Sequence, residues 1–401
     1  MAGAPVPSSS PSLTPWGWAV LLAKIGKIFA GLVCKSVCYS ISSRSTHVAS
    51  LLEKKRSFHS YIAYQGLIDF QCGLTAVEKQ SILFSSSTTC QIFAQSLNLP
   101  HAKVTLPDGT IAHLLGGSSS SAKSCSDYIP FWNSSRRIKE AEDAKRNAKR
   151  VIVYFHGGGY AAPVLPQHLH LLYGLEKKPR WGEDVIVYLL AYSLASDHAN
   201  PYPTQLRQAI SLLDHVLNTE NFPPSSITLI GNSAGSNLLL GLLLHLSHPN
   251  PDLPPLHLQN NEQLAAAAVI SPWCTMEVSA AAMKANADKD VLAPSAIAYW
   301  GRNFLGGRAP DPWNTPLIAP AAWWGDVKVD EMLLLYGEDE ILRDDTAILC
   351  ETIKATNPTR TTVHRFQGEC HEQMAMNKLL RLPGTCESEK VYAAWMKERF
   401  L

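Results

Sequence analysis

The sequence has little net charge. Its 35 basic and 34 acidic residues leave a formal charge of +1 over 401 residues. A chain so balanced projects no long-range field toward nucleic acid or a strongly acidic partner. It also lacks cysteines at zinc-site spacing. The nine cysteines are scattered and odd in number, and Cys34 and Cys38 have no second pair to complete four ligands. The thiols therefore read as reduced, in an intracellular protein that is cytoplasmic or associated with the endoplasmic reticulum membrane. No repeat of about 20 to 50 residues recurs, which excludes a solenoid or propeller. No basic residue precedes the first apolar run, so a secretory signal is not expected. The sequon Asn133-Ser134-Ser135 argues only weakly for secretion.

What the sequence does hold is apolar: 46% of its residues are hydrophobic, enough to bury a large core. Residues 1–15 are rich in Pro and Ser and read as disordered. Trp16 to Ile41 form an apolar stretch broken by Lys24, Lys27 and Lys35. At about 100° per residue these lysines share one helical face, while Trp18, Leu22, Ile25, Phe29 and Val33 share the other. Such a helix suits a membrane interface, with lysines toward the headgroups, or a lid over the active site. Three lysines make it a poor spanning segment. Residues 42–98 read mostly as helix, with apolar positions such as Leu51, Leu52, Phe58, Ile62 and Leu67.

From there on the pattern is that of a sheet. Lys103–Leu106 and Ile111–Leu114 flank the turn Pro107-Asp108-Gly109 and predict a hairpin. Residues 116–149 combine a Gly/Ser run with a dense charge run, expected as a surface insertion with a solvated helix. Six apolar runs follow: Val151–Phe155, Val185–Leu190, Ile227–Ile230, Ala266–Ile270, Met332–Tyr336 and Thr361–Phe366. Helical stretches separate them, which predicts an α/β fold with a mostly parallel sheet covered by helices on both faces.

Two motifs at strand ends carry chemistry. Gly231-Asn232-Ser233-Ala234-Gly235 lies between the third of these strands and a helical run. Strand, sharp turn and helix are the context in which Gly-x-Ser-x-Gly exposes a nucleophilic serine. Ser233 then sits at a helix N-terminus, where positive potential favours developing negative charge. His156-Gly157-Gly158-Gly159-Tyr160 follows the first strand. Consecutive glycines let backbone N–H groups approach a ligand, so Gly157 and Gly158, with the N–H of Ala234, are expected to form an oxyanion hole. An acid is expected after the fifth strand, within Gly337 to Asp345, and a histidine after the sixth. His371 is the expected base; His364 lies inside the strand.

These motifs resemble those of the hormone-sensitive lipase family of α/β-hydrolases, the family IV esterases, over roughly residues 100 to 400. That family pairs a His-Gly-Gly-Gly loop with Gly-Asp-Ser-Ala-Gly; here Asn232 stands for the Asp. Tyr192-Ser193-Leu194-Ala195-Ser196-Asp197 resembles its Tyr-Arg-Leu-Ala-Pro-Glu. Pro201-Tyr202-Pro203 echoes its Pro-Phe-Pro, and Ser271-Pro272-Trp273 matches its Ser-Pro-Trp. Fungal steryl acetyl hydrolases and related tailoring esterases are also similar. The resemblance implies an α/β-hydrolase fold with a helical cap, no metal or organic cofactor, and a triad of Ser233, His371 and an acid. It places that acid at Glu340, with Asp339 as the alternative.

The expected organisation is an N-terminal extension (1–41), cap helices (42–99) and a catalytic domain (100–401) with a further cap insertion at 274–330. The aromatics Phe131, Trp132, Trp323 and Trp324 are core residues or pocket walls. The expected function is hydrolysis of a small-molecule hydrophobic ester through an acyl-enzyme, with membrane-associated steryl acetate deacetylation or secondary-metabolite tailoring as narrower versions. A non-catalytic receptor is the alternative of another class. Plant gibberellin receptors resemble this family but have lost the catalytic His, whereas His371 remains here.

Overall fold

Aliphatic and β-branched side chains in short unbroken runs make the strands, and burial on both faces explains why those runs show no polar alternation. The computed structural model describes residues 13–42, 57–116, 134–173, 184–197, 199–259 and 262–401. Its eight strands are β1 (His101–Thr105), β2 (Ile111–Gly116), β3 (Arg150–Phe155), β4 (Val185–Ala191), β5 (Ile227–Asn232), β6 (Ala266–Ile270), β7 (Met332–Gly337) and β8 (Thr361–Phe366). They form one sheet in the order β1-β2-β4-β3-β5-β6-β7-β8. The strands from β3 to β8 pair in parallel, and every residue of β5, β6 and β7 is buried. β1 and β2 form the expected antiparallel hairpin, and β2 joins it to β4. Functional loops of such sheets gather at the carboxyl ends of the parallel strands.

The charged helix Ser134–Asn147 departs from its expectation of a solvated segment. Ala141 is fully buried, and Ala144 packs at Gly116, where an added Cβ would come within 3.0 Å of it. These alanines are three residues apart and share one face, so the charges occupy only the rest of the helix. Phe131, Trp132 and the sequon residue Asn133 lie outside the described residues.

The N-terminal helices pack as a stack. Helix α1 (Pro15–Ser42) crosses α2 (Phe58–Gly73), with Leu32 and Ile28 over Gly66 and Gly73. Helix α3 (Ala76–Ile82) begins with a capping box made by Thr75 and Glu78. Lys24 pairs with Glu78 and Lys35 with Asp69, each at 2.8 Å. Two of the three lysines expected to face headgroups therefore face carboxylates of α2 and α3. The opposite face is bare: Leu22, Phe29, Val33 and Val37 are all exposed, Phe29 by 71%.

Candidate active site

β5 ends in a sharp turn that holds Ser233 at φ 52°, ψ −117°, immediately before the helix Ala234–Ser247. A left-handed non-glycine residue here is a strained position, as a nucleophile elbow requires. The turn closes only because residue 235 lacks a side chain: a Cβ there would collide with the Phe155 carbonyl at the end of β3.

His371 follows β8. Its Nε2 lies 2.9 Å from Ser233 Oγ, and its Nδ1 lies 3.1 Å from Glu340 Oε2. The structure therefore brings Glu340, and not Asp339, to the imidazole; Asp339 faces Lys289 at 3.7 Å. Glu340 is fully buried, and its Oε1 accepts hydrogen bonds from the Gly337 N–H at 2.5 Å and the Ser271 hydroxyl at 2.7 Å. His364 remains in β8, with its ring stacked on Phe366.

Several partners of this trio have no motif of their own. Buried Asp290 accepts the N–H of His371 at 2.9 Å and that of Ile341 at 2.7 Å, so it ties the histidine loop to the acid loop. Asn286 donates to the carbonyls of Glu338 and Glu340. Both belong to the long segment after β6, where sequence pattern offered no signal. Ser271 was visible only as part of Ser-Pro-Trp. Burial alone would lower the pKa of His371. The hydrogen bond and charge of Glu340, aided by Glu372 and Asp290, outweigh burial and raise it to about 9. Burial raises the carboxyl of Asp290 to about 6.

The glycine loop requires a correction. Gly157 donates its N–H to Asn232 Oδ1 at 3.1 Å, so that donor is engaged inside the protein and cannot face an oxyanion. Gly158, at φ +108°, and Gly159 line the cavity beside Ser233. Asn232 is a connector. Its Oδ1 also accepts the Tyr154 hydroxyl at 2.6 Å, and its Nδ2 donates to Glu372 Oε1 at 2.7 Å. That oxygen lies 3.9 Å from His371 Nε2, and burial raises the Glu372 carboxyl above its ordinary pKa. An aspartate at 232 would oppose Glu372 with a second carboxylate, which gives the Asn a physical reason. His156 supports the loop from below. It stacks on Tyr192 with 4.1 Å between centroids, and burial lowers it to about 4, so it is neutral.

A cavity of about 220 Å3 opens beside Ser233 and His371. Leu67 and Phe70 of α2 and Leu83 after α3 form one wall; Val291, Leu292 and Trp300 form another. Trp323 and Trp324 are not among its lining residues: Trp324 is buried, and Trp323 stacks on His248. Among the described residues no group of three or more His, Cys, Asp or Glu is placed to hold a metal ion.

Comparison with known proteins finds acetyl hydrolases and esterases. An acetyl-hydrolase of Streptomyces hygroscopicus is 28% identical over 216 residues, covering 53% of this chain and 65% of that protein. Steryl acetyl hydrolase 1 of Saccharomyces cerevisiae is 25% identical over 213 residues, covering 50% of this chain and 47% of that protein. The chain thus spans about half to two thirds of the length of these relatives. The crystal structure of an esterase from the bacterial hormone-sensitive lipase family superposes with a TM-score of 0.58 at 19% identity. That match covers 86% of this chain and 99% of the other, and it shows the shared α/β-hydrolase fold. A family model described as steryl acetyl hydrolase matches residues 121–372, the stretch that contains the glycine loop, Ser233, Glu340 and His371. The chain belongs to the steryl acetyl hydrolase family, built on the α/β-hydrolase fold.

Proposed function

We propose that this chain is a serine hydrolase of carboxylic esters in which Ser233, His371 and Glu340 act as a triad. The observation that carries the reading is the line of contacts from Ser233 Oγ to His371 Nε2 at 2.9 Å and from Nδ1 to Glu340 at 3.1 Å. Neutral His371 takes the Ser233 proton as Oγ bonds to the ester carbonyl carbon. The negative oxygen is held by the N–H groups of Gly158, Gly159 and Ala234. His371 returns its proton to the leaving alcohol, and an acyl-enzyme remains. A water, deprotonated by His371, then releases the acid and restores the Ser233 hydroxyl. Glu340 fixes the tautomer with the proton on Nδ1 and stabilises the imidazolium.

The cavity supports a hydrophobic ester with a short acyl group. Its volume of about 220 Å3 is smaller than the ~300–1,000 Å3 of ordinary ligand sites. The names of the relatives favour acetyl esters, with a steryl acetate or an acetylated secondary metabolite as the narrower substrate. The helices within residues 57–99 and the segment 274–330 act as the cap that excludes water. The exposed apolar face of α1 supports contact with a lipid surface. Lys24 and Lys35 are held by the chain's own acids, so the helix would lie in the membrane plane and leave those pairs intact.

Hydrolysis of p-nitrophenyl acetate tests the reading. Ser233→Ala is expected to lower kcat by at least about a thousandfold with an unchanged circular dichroism spectrum. Turnover that survives the substitution overturns the assignment.

A further inference from the structure

Among the described residues lining the cavity beside Ser233, Lys79 is the only lysine or arginine. It is 2% exposed. Lysine is almost never so buried unless it is paired. No carboxylate among the described residues lies within ion-pairing distance of its Nζ. The adjacent Glu78 acts on Lys79 only from beyond ion-pairing distance, because its carboxylate is held by Lys24 at 2.8 Å and by the Thr75 N–H at 2.8 Å.

What Lys79 does touch accounts for part of its bonding capacity. Nζ donates to the Gln71 carbonyl, in the last turn of α2, at 2.6 Å, and sits 5.3 Å from the centroid of the Trp300 ring. An ammonium has three N–H donors, and one is used here. The carbonyl end of α2 and the ring face supply partial negative charge, short of a full counter-charge. Burial lowers the amine to about 8, which leaves it mostly charged at neutral pH. A buried charge without a direct ion-pair partner is costly, and such costs are found where a ligand supplies the missing partner. The same cavity carries the Glu372 carboxyl beside the reacting atoms, while the walls between are apolar. An anionic group entering it is repelled at Glu372 and attracted at Lys79, which fixes one orientation.

We propose that Lys79 is a specificity-determining residue that receives a carboxylate of the substrate, so that the preferred ester carries an anionic group remote from the scissile bond. This inference rests on the ester-hydrolase reading and narrows its substrate class, since a plain steryl acetate offers Lys79 only hydrocarbon. Lys79 lies outside the 121–372 stretch matched by the family model.

Two ester pairs test it in the full chain. Mono-p-nitrophenyl glutarate against p-nitrophenyl valerate places the carboxylate on the acyl side; 4-acetoxybenzoate against its methyl ester, read as acetate release, places it on the alcohol side. The charged member of one pair is expected to have the higher kcat/KM by about tenfold, the worth of a charge-assisted hydrogen bond. Lys79→Met should abolish that ratio through KM. Lys79→Gln keeps a donor for the Gln71 carbonyl and should abolish it too, which separates the charge from support of α2. The ratio is taken within each variant, so loss of folded protein cancels. No preference in either pair, or a preference that survives both substitutions, overturns the inference while p-nitrophenyl acetate turnover leaves the hydrolase reading standing. Absence of all ester turnover by the unaltered chain overturns both.

Discussion

The floor and the roof of the cavity are built by different forces. On the floor, Ser233, Glu340, His371, Asp290, Ser271, Asn232 and Glu372 are all buried, and each is held by hydrogen bonds to groups at strand ends or loops. On the roof, α1, α2 and α3 meet through aliphatic side chains, ring contacts of Tyr39 with Phe58 and Tyr61, and two partly exposed ion pairs. Directional bonds in a dry interior fix positions to tenths of an ångström, whereas apolar contact fixes only proximity. The family match begins at residue 121 and ends at 372, so it takes in the floor and omits these three helices. Chemistry that must be exact sits where bonds are directional.

Glu340→Gln is the sharpest way to break the floor. It keeps the shape but removes the charge that holds the Nδ1–H tautomer, and kcat for p-nitrophenyl acetate should fall by about a thousandfold or more. Asp339→Asn, one residue away, loses only a part-exposed contact of 3.7 Å to Lys289 and should stay within about twofold. The reverse order would reassign the acid.

This contrast also marks how far the sequence could be read. The strands, the Ser233 turn and the position of His371 were legible because each is a contiguous pattern that local backbone physics enforces. Glu340 was separable from Asp339 only through the family resemblance, since both follow β7. The choice between Gly157 and its neighbours was not legible. It depends on the Asn232 amide, 75 residues away, accepting the Gly157 N–H. Asp290 and Asn286 were invisible for the same reason: their role is set by tertiary contact with the acid and histidine loops. The lysines of α1 were correctly grouped on one face, but which surface that face meets is decided by Asp69 and Glu78.

Asn232→Asp asks whether the floor tolerates a change of charge with almost no change of shape. The new carboxylate can still accept from Gly157 and Tyr154, but its other oxygen meets Glu372 at the 2.7 Å now spanned by the amide. The two must then share a proton. The base demands the opposite condition. His371 acts only when neutral, and its pKa is raised to about 9, so kcat/KM of the unaltered chain should rise with pH toward that value, above the ~6.5 of an ordinary imidazole. The sign for stability is opposite: the His371 pairing contributes fully below about 6.5 and is lost as pH rises through about 9. Asn232→Asp should therefore lose about a hundredfold near pH 9, with a descending alkaline limb. Adding Glu372→Gln should remove that limb, because the new amide donates to Asp. Glu372→Gln alone should move the rising limb to lower pH, since one anion beside the imidazole is gone. A wild-type pH profile for Asn232→Asp would show that Asn232 and Glu372 are not coupled.

The roof is tested by its outer surface. Phe29 is 71% exposed, so Phe29→Glu removes no packing and should change unfolding stability by no more than about 0.5 kcal/mol. In the proposed membrane contact the same side chain is buried in lipid, where its transfer is worth about 1.5–3 kcal/mol. Flotation with phosphatidylcholine vesicles should then show at least about a tenfold lower bound fraction for Phe29→Glu, with p-nitrophenyl acetate turnover in solution unaltered. Lys27→Glu is the control on the flank: Lys27 is exposed and has no carboxylate within ion-pairing distance among the described residues, so it adds charge without removing apolar area. If both substitutions lower binding equally, the loss follows from the added negative charge on the helix and the apolar face is idle. If neither does, α1 is a packing element of the roof, and its bare stripe faces something other than lipid.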